Sequence, residues 1–300
     1  MKRTAISVAI LSLAIGAGAQ TYGQGTTQNP PAAGQAQAGA QAAPAPAQAP
    51  PPGGKRPPQA KTQPEFDAYK VVAANTDPAA MEKGADDFAT KFPDSEVRLL
   101  LYKTAMRMYQ TANNSEKTEA MGRKVLALDG DDPEALLTVS ELIAEKTRES
   151  DLDRDQRFAD AVKMSQKALQ TIDTDISVPA GTPQEKLDAY KSSLRSQAYS
   201  ILGTIEYNKN NYPVAQENLQ KSLDALPSQP DSVVVLRLAL SLDKQSKYPE
   251  ALKVANRAVE MTQETTQIGT LARRERDRLQ QLTGGTAPPP APPQAEPPKN

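Results

Sequence analysis

Three aspartates at alternate positions, Asp151, Asp153 and Asp155, copy the opening of a calcium-binding loop. Such a loop needs glycine at its sixth position for the sharp turn and a bidentate glutamate at its twelfth. Counted from Asp151, those positions hold Gln156 and Val162, and Arg154 and Arg157 compete for the carboxylates. The segment is expected to be a solvated loop with Asp155 capping the helix that follows, and no metal. A second carboxylate set, Glu134, Glu141 and Glu145, is spaced to lie on one helix face. Glycoside hydrolysis needs two carboxylates flanking a cleft, about 5 to 9.5 Å apart, and a single stripe on one helix does not supply that.

The rest of the catalytic repertoire is narrow. The 300 residues include no cysteine and no histidine. Thiol catalysis, triads that use histidine, His or Cys metal sites and disulfides are thereby excluded. No cofactor is expected, and the chain is read as a non-enzyme. A formal net charge of −1 argues against a nucleic-acid binder driven by a positive field.

What positions these residues is a periodic helical pattern. Tyr199, Leu202, Gly203, Tyr212, Ala215, Leu219, Ser222 and Pro227 define a helical hairpin over 196–229. Val235, Leu238, Ala239, Tyr248, Ala251, Ala255 and Ala258 repeat those spacings over 232–265. Two antiparallel helices can approach closely only where side chains are small, so Gly203 and Ala239 face Ala215 and Ala251. Leu202, Leu238, Tyr199 and Tyr212 fill the space on either side.

This series resembles the tetratricopeptide repeat, a hairpin of 34 residues. The resemblance implies an all-α, TPR-like α-solenoid of antiparallel helix hairpins, here flanked by disordered N- and C-terminal tails. Degenerate copies fit at about 62–95 and 96–132, and another at 133–175 with an insertion at 148–156 between its helices. The run 183–229 opens with a capping box at Thr182-Pro183-Gln184-Glu185, so its first helix is extended by nearly four turns. Asp77-Pro78 and Asp132-Pro133 read as helix starts, and Asn113-Asn114-Ser115 as a turn. Residues 266–283 form a capping helix that covers the last hairpin. Its Arg273, Arg274, Arg276 and Arg278 read either as a solvated outer face or as a site for anionic lipid.

By the same resemblance, a groove lined by first helices would hold peptides of partner proteins. Its positions correspond to Glu134, Leu137, Glu141, Ala144 and Glu145; to Gln197, Ser200, Thr204, Tyr207 and Asn208; and to Val233, Leu236, Leu240, Asp243 and Lys244. The family's Lys–Asn–Arg clamp for a peptide C-terminus is not supported, since Ser200 and Thr204 stand where its Lys and Asn would be. Leu236 and Leu240 either face the groove or are buried against the capping helix.

The ends of the chain are of another kind. Lys2 and Arg3 precede an apolar run, Ala5 to Ile15, that closes on Ala17-Gly18-Ala19. This reads as a signal peptide, residues 1–19. An uncleaved anchor is the alternative, but the apolar stretch falls short of the roughly 20 residues needed to span hydrocarbon. Residues 20–62 are an Ala/Gln/Pro-rich linker and 284–300 a Pro-rich tail, both expected to be disordered because they cannot bury enough apolar surface. They act as spacers or as ligands for a proline-binding groove. The expectation is an exported scaffold, periplasmic or secreted, whose partners are other proteins of the cell envelope, with no nucleic acid and no stable membrane insertion. A wall-glycan enzyme and a spacer without a ligand are the alternatives.

Overall fold

The computed structural model describes residues 54–179 and 181–284. The expected signal segment, the linker as far as residue 53 and the tail from 285 lie outside the described residues. Among the described residues eleven α-helices form and no strand. They are α1 (Gln63–Ala73), α2 (Pro78–Lys91), α3 (Arg98–Thr111), α4 (Ser115–Leu128), α5 (Pro133–Lys146), α6 (Arg154–Thr171), α7 (Gln184–Asn208), α8 (Tyr212–Ala225), α9 (Ser232–Asp243), α10 (Tyr248–Glu260) and α11 (Gln267–Leu282). Each helix packs chiefly on its neighbour in sequence, as hairpins stacked in order do.

Several helix starts follow from one side chain each. The Asp77 carboxylate accepts from the Ala80 amide at 2.8 Å, Asn114 from Lys117 at 3.1 Å and Asp132 from Ala135 at 2.9 Å. Each satisfies an amide that the first helical turn leaves without a partner. Two expected caps are absent. Asp155 lies inside the first turn of α6, whose N-cap is Asp153 with no side-chain bond. The Thr182 hydroxyl donates backwards to the Pro179 carbonyl, so the anticipated capping box does not form and Pro183 alone precedes α7.

Three hairpin turns are built alike. Asn113, Asn210 and Ser246 have φ of 56°, 60° and 59°, the left-handed region. After each, the next amide reaches five residues back: Asn114 to Tyr109, Asn211 to Glu206 and Lys247 to Leu242, at 2.9–3.1 Å. This is a Schellman closure with Asn or Ser in the place glycine usually takes. The α5–α6 turn carries the insertion and closes differently, with Arg157 held by Asp151 at 3.4 Å.

The helix crossings explain the small residues. A Cβ on Gly203 would lie 2.7 Å from Leu219 Cγ and 3.1 Å from the Leu219 backbone nitrogen, so no side chain fits there. Ala215, Ala239 and Ala251 are fully buried. Where the small residue is serine, its hydroxyl bonds the facing helix: Ser140 donates to Ala161 O at 2.7 Å, and Ser222 to Ser196 O at 2.8 Å. A buried hydroxyl is thus tolerated because it has a partner.

Two layers result, and they are not equivalent. First helices touch one another, α1 with α3, α5 with α7, α7 with α9 and α9 with α11, whereas no two second helices are in comparable contact. In a bent stack the crowded layer lies on the inside, so the first helices line the concave face.

The expected linker ends earlier than its composition suggests. Residues 54–62 run extended across three inter-hairpin turns. The Lys55 amide donates to Ile176 O at 3.1 Å, and its ammonium meets Asp129 at 2.8 Å and Asp175 at 3.5 Å. Arg56 forks onto Glu96 at 2.8 and 2.9 Å, and the Gln59 amide donates to the same carboxylate at 3.1 Å. An extended proline-rich segment is stabilised here by polar contacts, since it brings little apolar surface to bury.

Candidate functional site

The concave face is built from polar side chains that join each first helix to the next. At its N-terminal end, Glu134 on α5 receives a bidentate bond from Arg107 on α3, both contacts at 2.5 Å. Lys103, one turn earlier on α3, reaches Asp132 at 2.6 Å and Glu134 at 3.2 Å. The Tyr190 hydroxyl on α7 donates to Glu134 at 3.0 Å. Burial alone would raise this carboxyl, but Lys103 and Arg107 overcome it and hold the group at about 2. Glu134 is therefore ionised, saturated with donors and structural.

Two and three turns on, the balance reverses. Glu141 accepts from Gln197 Nε2 on α7 at 2.8 Å and, among the described residues, has no cation within ion-pair distance. Burial pushes it up to about 7; the Gln197 bond opposes this, and nearby Glu145 adds to it. Glu145 is also raised, again by burial first, with Arg237 and Lys146 pulling the other way. Arg237 on α9 donates to Thr204 Oγ1 on α7 at 2.7 Å, and among the described residues no carboxylate comes within ion-pair contact. Burial depresses the guanidinium, while Asp231, Tyr207 and Glu145 act at longer range to hold its charge. The middle of the face thus holds charges of both signs that are not paired with each other.

The remaining groove positions divide. Ser200, Thr204 and Tyr207 are half-buried on α7, and Tyr207 meets the Tyr212 ring edge-on at 5.5 Å between centroids. Asn208 ends α7, and its carbonyl accepts from Arg154 at 2.6 Å. On α9, Val233 and Leu240 are half-buried, Lys244 is exposed and Asp243 pairs with Arg278 of α11. Three positions are not available to a ligand. Leu137 is 0 % exposed and Ala144 is buried, because the N-terminal extension of α7 brings Leu187 and Leu194 into the core cluster that holds both. Leu236 is 4 % exposed and belongs to the core cluster that also holds Ala272 and Leu279 of α11.

Lys103, Arg107, Tyr190 and Arg237 were not among the expected site residues. Lys103 and Arg107 carry a visible signal, since an i, i+4 cationic pair marks one face of a helix. Arg237 follows Leu236 directly and carries none.

As for metal, no three carboxylates converge on a common point among the described residues. Asp151 and Asp153 instead face Arg157, and Asp155 faces Arg154. Among the same residues no helix is long and apolar enough to cross a membrane.

Helix order, hairpin closure and crossings of small residues make the described chain an α-solenoid of TPR-like hairpins. No protein-family model matches the sequence, and no curated protein matches it either. Among solved structures, the chain is similar to YrrB, described as a TPR protein with an unusual peptide-binding site. The two share 15 % identity over 67 % of this chain and 86 % of that one, with a TM-score of 0.44. It is similar to MamA at 13 % identity, over 60 % and 85 % of the two chains, with a TM-score of 0.38. The ribosomal-protein assembly chaperone Acl4 gives 13 % identity over 73 % and 97 %, also at a TM-score of 0.38.

Proposed function

We propose that this chain is an exported, non-catalytic scaffold that binds segments of partner proteins along the concave face of its first helices. One observation carries the reading: Glu141 and Arg237 are drawn out of water on that face, and among the described residues neither has an opposite charge in contact. A fold gains no stability from half-buried charges left so, whereas a partner that pairs them gains strongly. Export rests on the basic start, apolar run and Ala-x-Ala ending of residues 1–19. On that reading the proposed partners are proteins of the cell envelope.

Capture from envelope extract tests the scaffold. Wild type and Lys163→Ala, altered on the outer side of α6, should retain the same proteins. Gln197→Ala and Arg237→Gln should lose them. Identical capture by all four chains would refute binding on this face.

A glycan-processing enzyme has one observation in its favour, the carboxyl of Glu141 at about 7, suited to a general acid. Its neighbour Glu145 stands one turn along the same helix and does not face it across a cleft. Turnover of peptidoglycan by the purified chain, abolished in Glu141→Gln, would favour the enzyme over the scaffold.

A further inference from the structure

The C-terminal end of the concave face has its own chemistry. Leu236 and Leu240 of α9 and Leu271 of α11 line a notch of about 280 Å³, with Arg274, Glu275 and Arg278 around it. Leu271 is 43 % exposed although it sits beside two other leucines. Next to Leu236 on α9, Arg237 turns toward α7, where the Thr204 hydroxyl is its one hydrogen-bond partner among the described residues. On the notch itself, Arg274 is exposed and makes no hydrogen bond or ion pair among the described residues. The other arginines of α11 are occupied. Arg273 donates to the Gly269 and Thr262 carbonyls, Arg276 pairs with Asp277, and Arg278 holds Asp243 and Glu275. The acidic groups nearest the notch, Asp243 and Glu275, both turn to Arg278 and leave Arg274 to itself. Asp231 and Glu145 act on Arg237 only from beyond ion-pair contact.

We infer, building on the scaffold reading, that this end of the groove binds a partner segment in which one apolar side chain is flanked on both sides by acidic residues. The apolar group fills the notch over Leu240 and Leu271. One flanking carboxylate meets Arg237 and the other Arg274, each offered a planar fork of donors that suits a carboxylate. Arg237, one turn before Leu240 on α9, and Arg274, one turn after Leu271 on α11, have no carboxylate in contact among the described residues and supply the charge complementarity. Acidic side chains are recognised, and a free chain end is not required. An anionic membrane would use Arg274 but leave Arg237, set back against α7, without a role.

The test uses the full chain and a short fluorescein-labelled peptide, acetylated and amidated at its ends, with the core Glu-Glu-Phe-Glu-Glu. Two controls replace Glu by Lys or Phe by Gly, and vesicles of phosphatidylglycerol probe the lipid alternative. Saturable binding of the acidic peptide is expected, weakened about tenfold or more in both controls and in Arg237→Gln, Arg274→Gln and Leu271→Ser. Arg274 and Leu271 are exposed, so melting of those two variants should match wild type. Equal binding of the lysine peptide, no saturable binding, or indifference to both arginine variants overturns the inference. So does vesicle binding that depends on Arg274 while the peptide fails. If the peptide fails while wild-type capture of envelope proteins persists, the scaffold stands and this assignment alone falls.

Discussion

Gln197 on α7 donates to the Glu141 carboxylate on α5 at 2.8 Å, joining two first helices 56 residues apart in sequence. This bond is the one direct contact that favours the ionised form of Glu141, and it is outweighed by burial and by Glu145. The central charge of the concave face is thus set by a glutamine where a cation would have fixed it.

The stability of the chain should depend on pH through this group. Unfolded, the Glu141 carboxyl ionises at its ordinary 4.5; folded, at about 7. The folded state holds the extra proton between those values, so stability is full at low pH and falls as pH rises through 7. The loss is at most about 3 kcal/mol, less for the water that reaches the groove. Glu141→Gln should melt higher than wild type at about pH 8 and match it at about pH 5, with a weaker slope remaining from Glu145. Parallel melting curves for the two proteins across this range would contradict the burial of Glu141.

Glu134 behaves in the opposite sense. Its carboxyl is held at about 2, so its contribution is present above its ordinary 4.5 and is lost as pH falls toward 2. Glu134→Ala leaves half-buried Lys103 with Asp132 alone and takes the carboxylate from Arg107, and should cost about 1.5–3 kcal/mol in denaturant unfolding. Glu145→Ala, which breaks no ion pair, should fall within about 0.5 kcal/mol.

The helix crossing at Gly203 admits no larger residue. Gly203→Leu drives a side chain into Leu219 and its backbone and should cost about 1–3 kcal/mol or more, as should Ala215→Leu. Lys209→Leu, on the exposed end of α7, should change stability by no more than about 0.5 kcal/mol. Chemical denaturation of the three variants measures this directly.

The extended segment 54–62 should be held by charge. Lys55 and Arg56 have side chains 42 % and 41 % exposed, so each pair contributes only about 0.2–1 kcal/mol and weakens in salt. In Lys55→Ala/Arg56→Ala, or in high salt, the Lys55 amide bonded to Ile176 should lose its protection against hydrogen exchange. Global melting should barely move.

How far these features could be read in advance depended on the range of the interaction. Asp77, Asn114 and Asp132 cap helices through bonds spanning three residues, and the local sequence shows them. The spacing of Gly203, Ala215, Ala239 and Ala251 revealed the crossings because a periodic contact leaves a periodic trace. Leu137 misled because the extension of α7, outside the repeat period, lays its leucines on α5. Residues 54–62 misled because their composition reads as linker, while their order comes from Glu96, Asp129 and Ile176 far along the chain. Arg237 stayed hidden because its meaning lies in the carboxylate it lacks, and no local pattern encodes a missing partner.

Site-specific photo-crosslinking in cells tests the central claim most directly. A photoreactive residue replaces Gln197 or Tyr207 on the concave face, and Lys163 or Lys253 on the exposed sides of α6 and α10. The account predicts discrete protein adducts from positions 197 and 207, and background alone from 163 and 253. Adducts confined to 163 and 253, with none from the concave face, would contradict it.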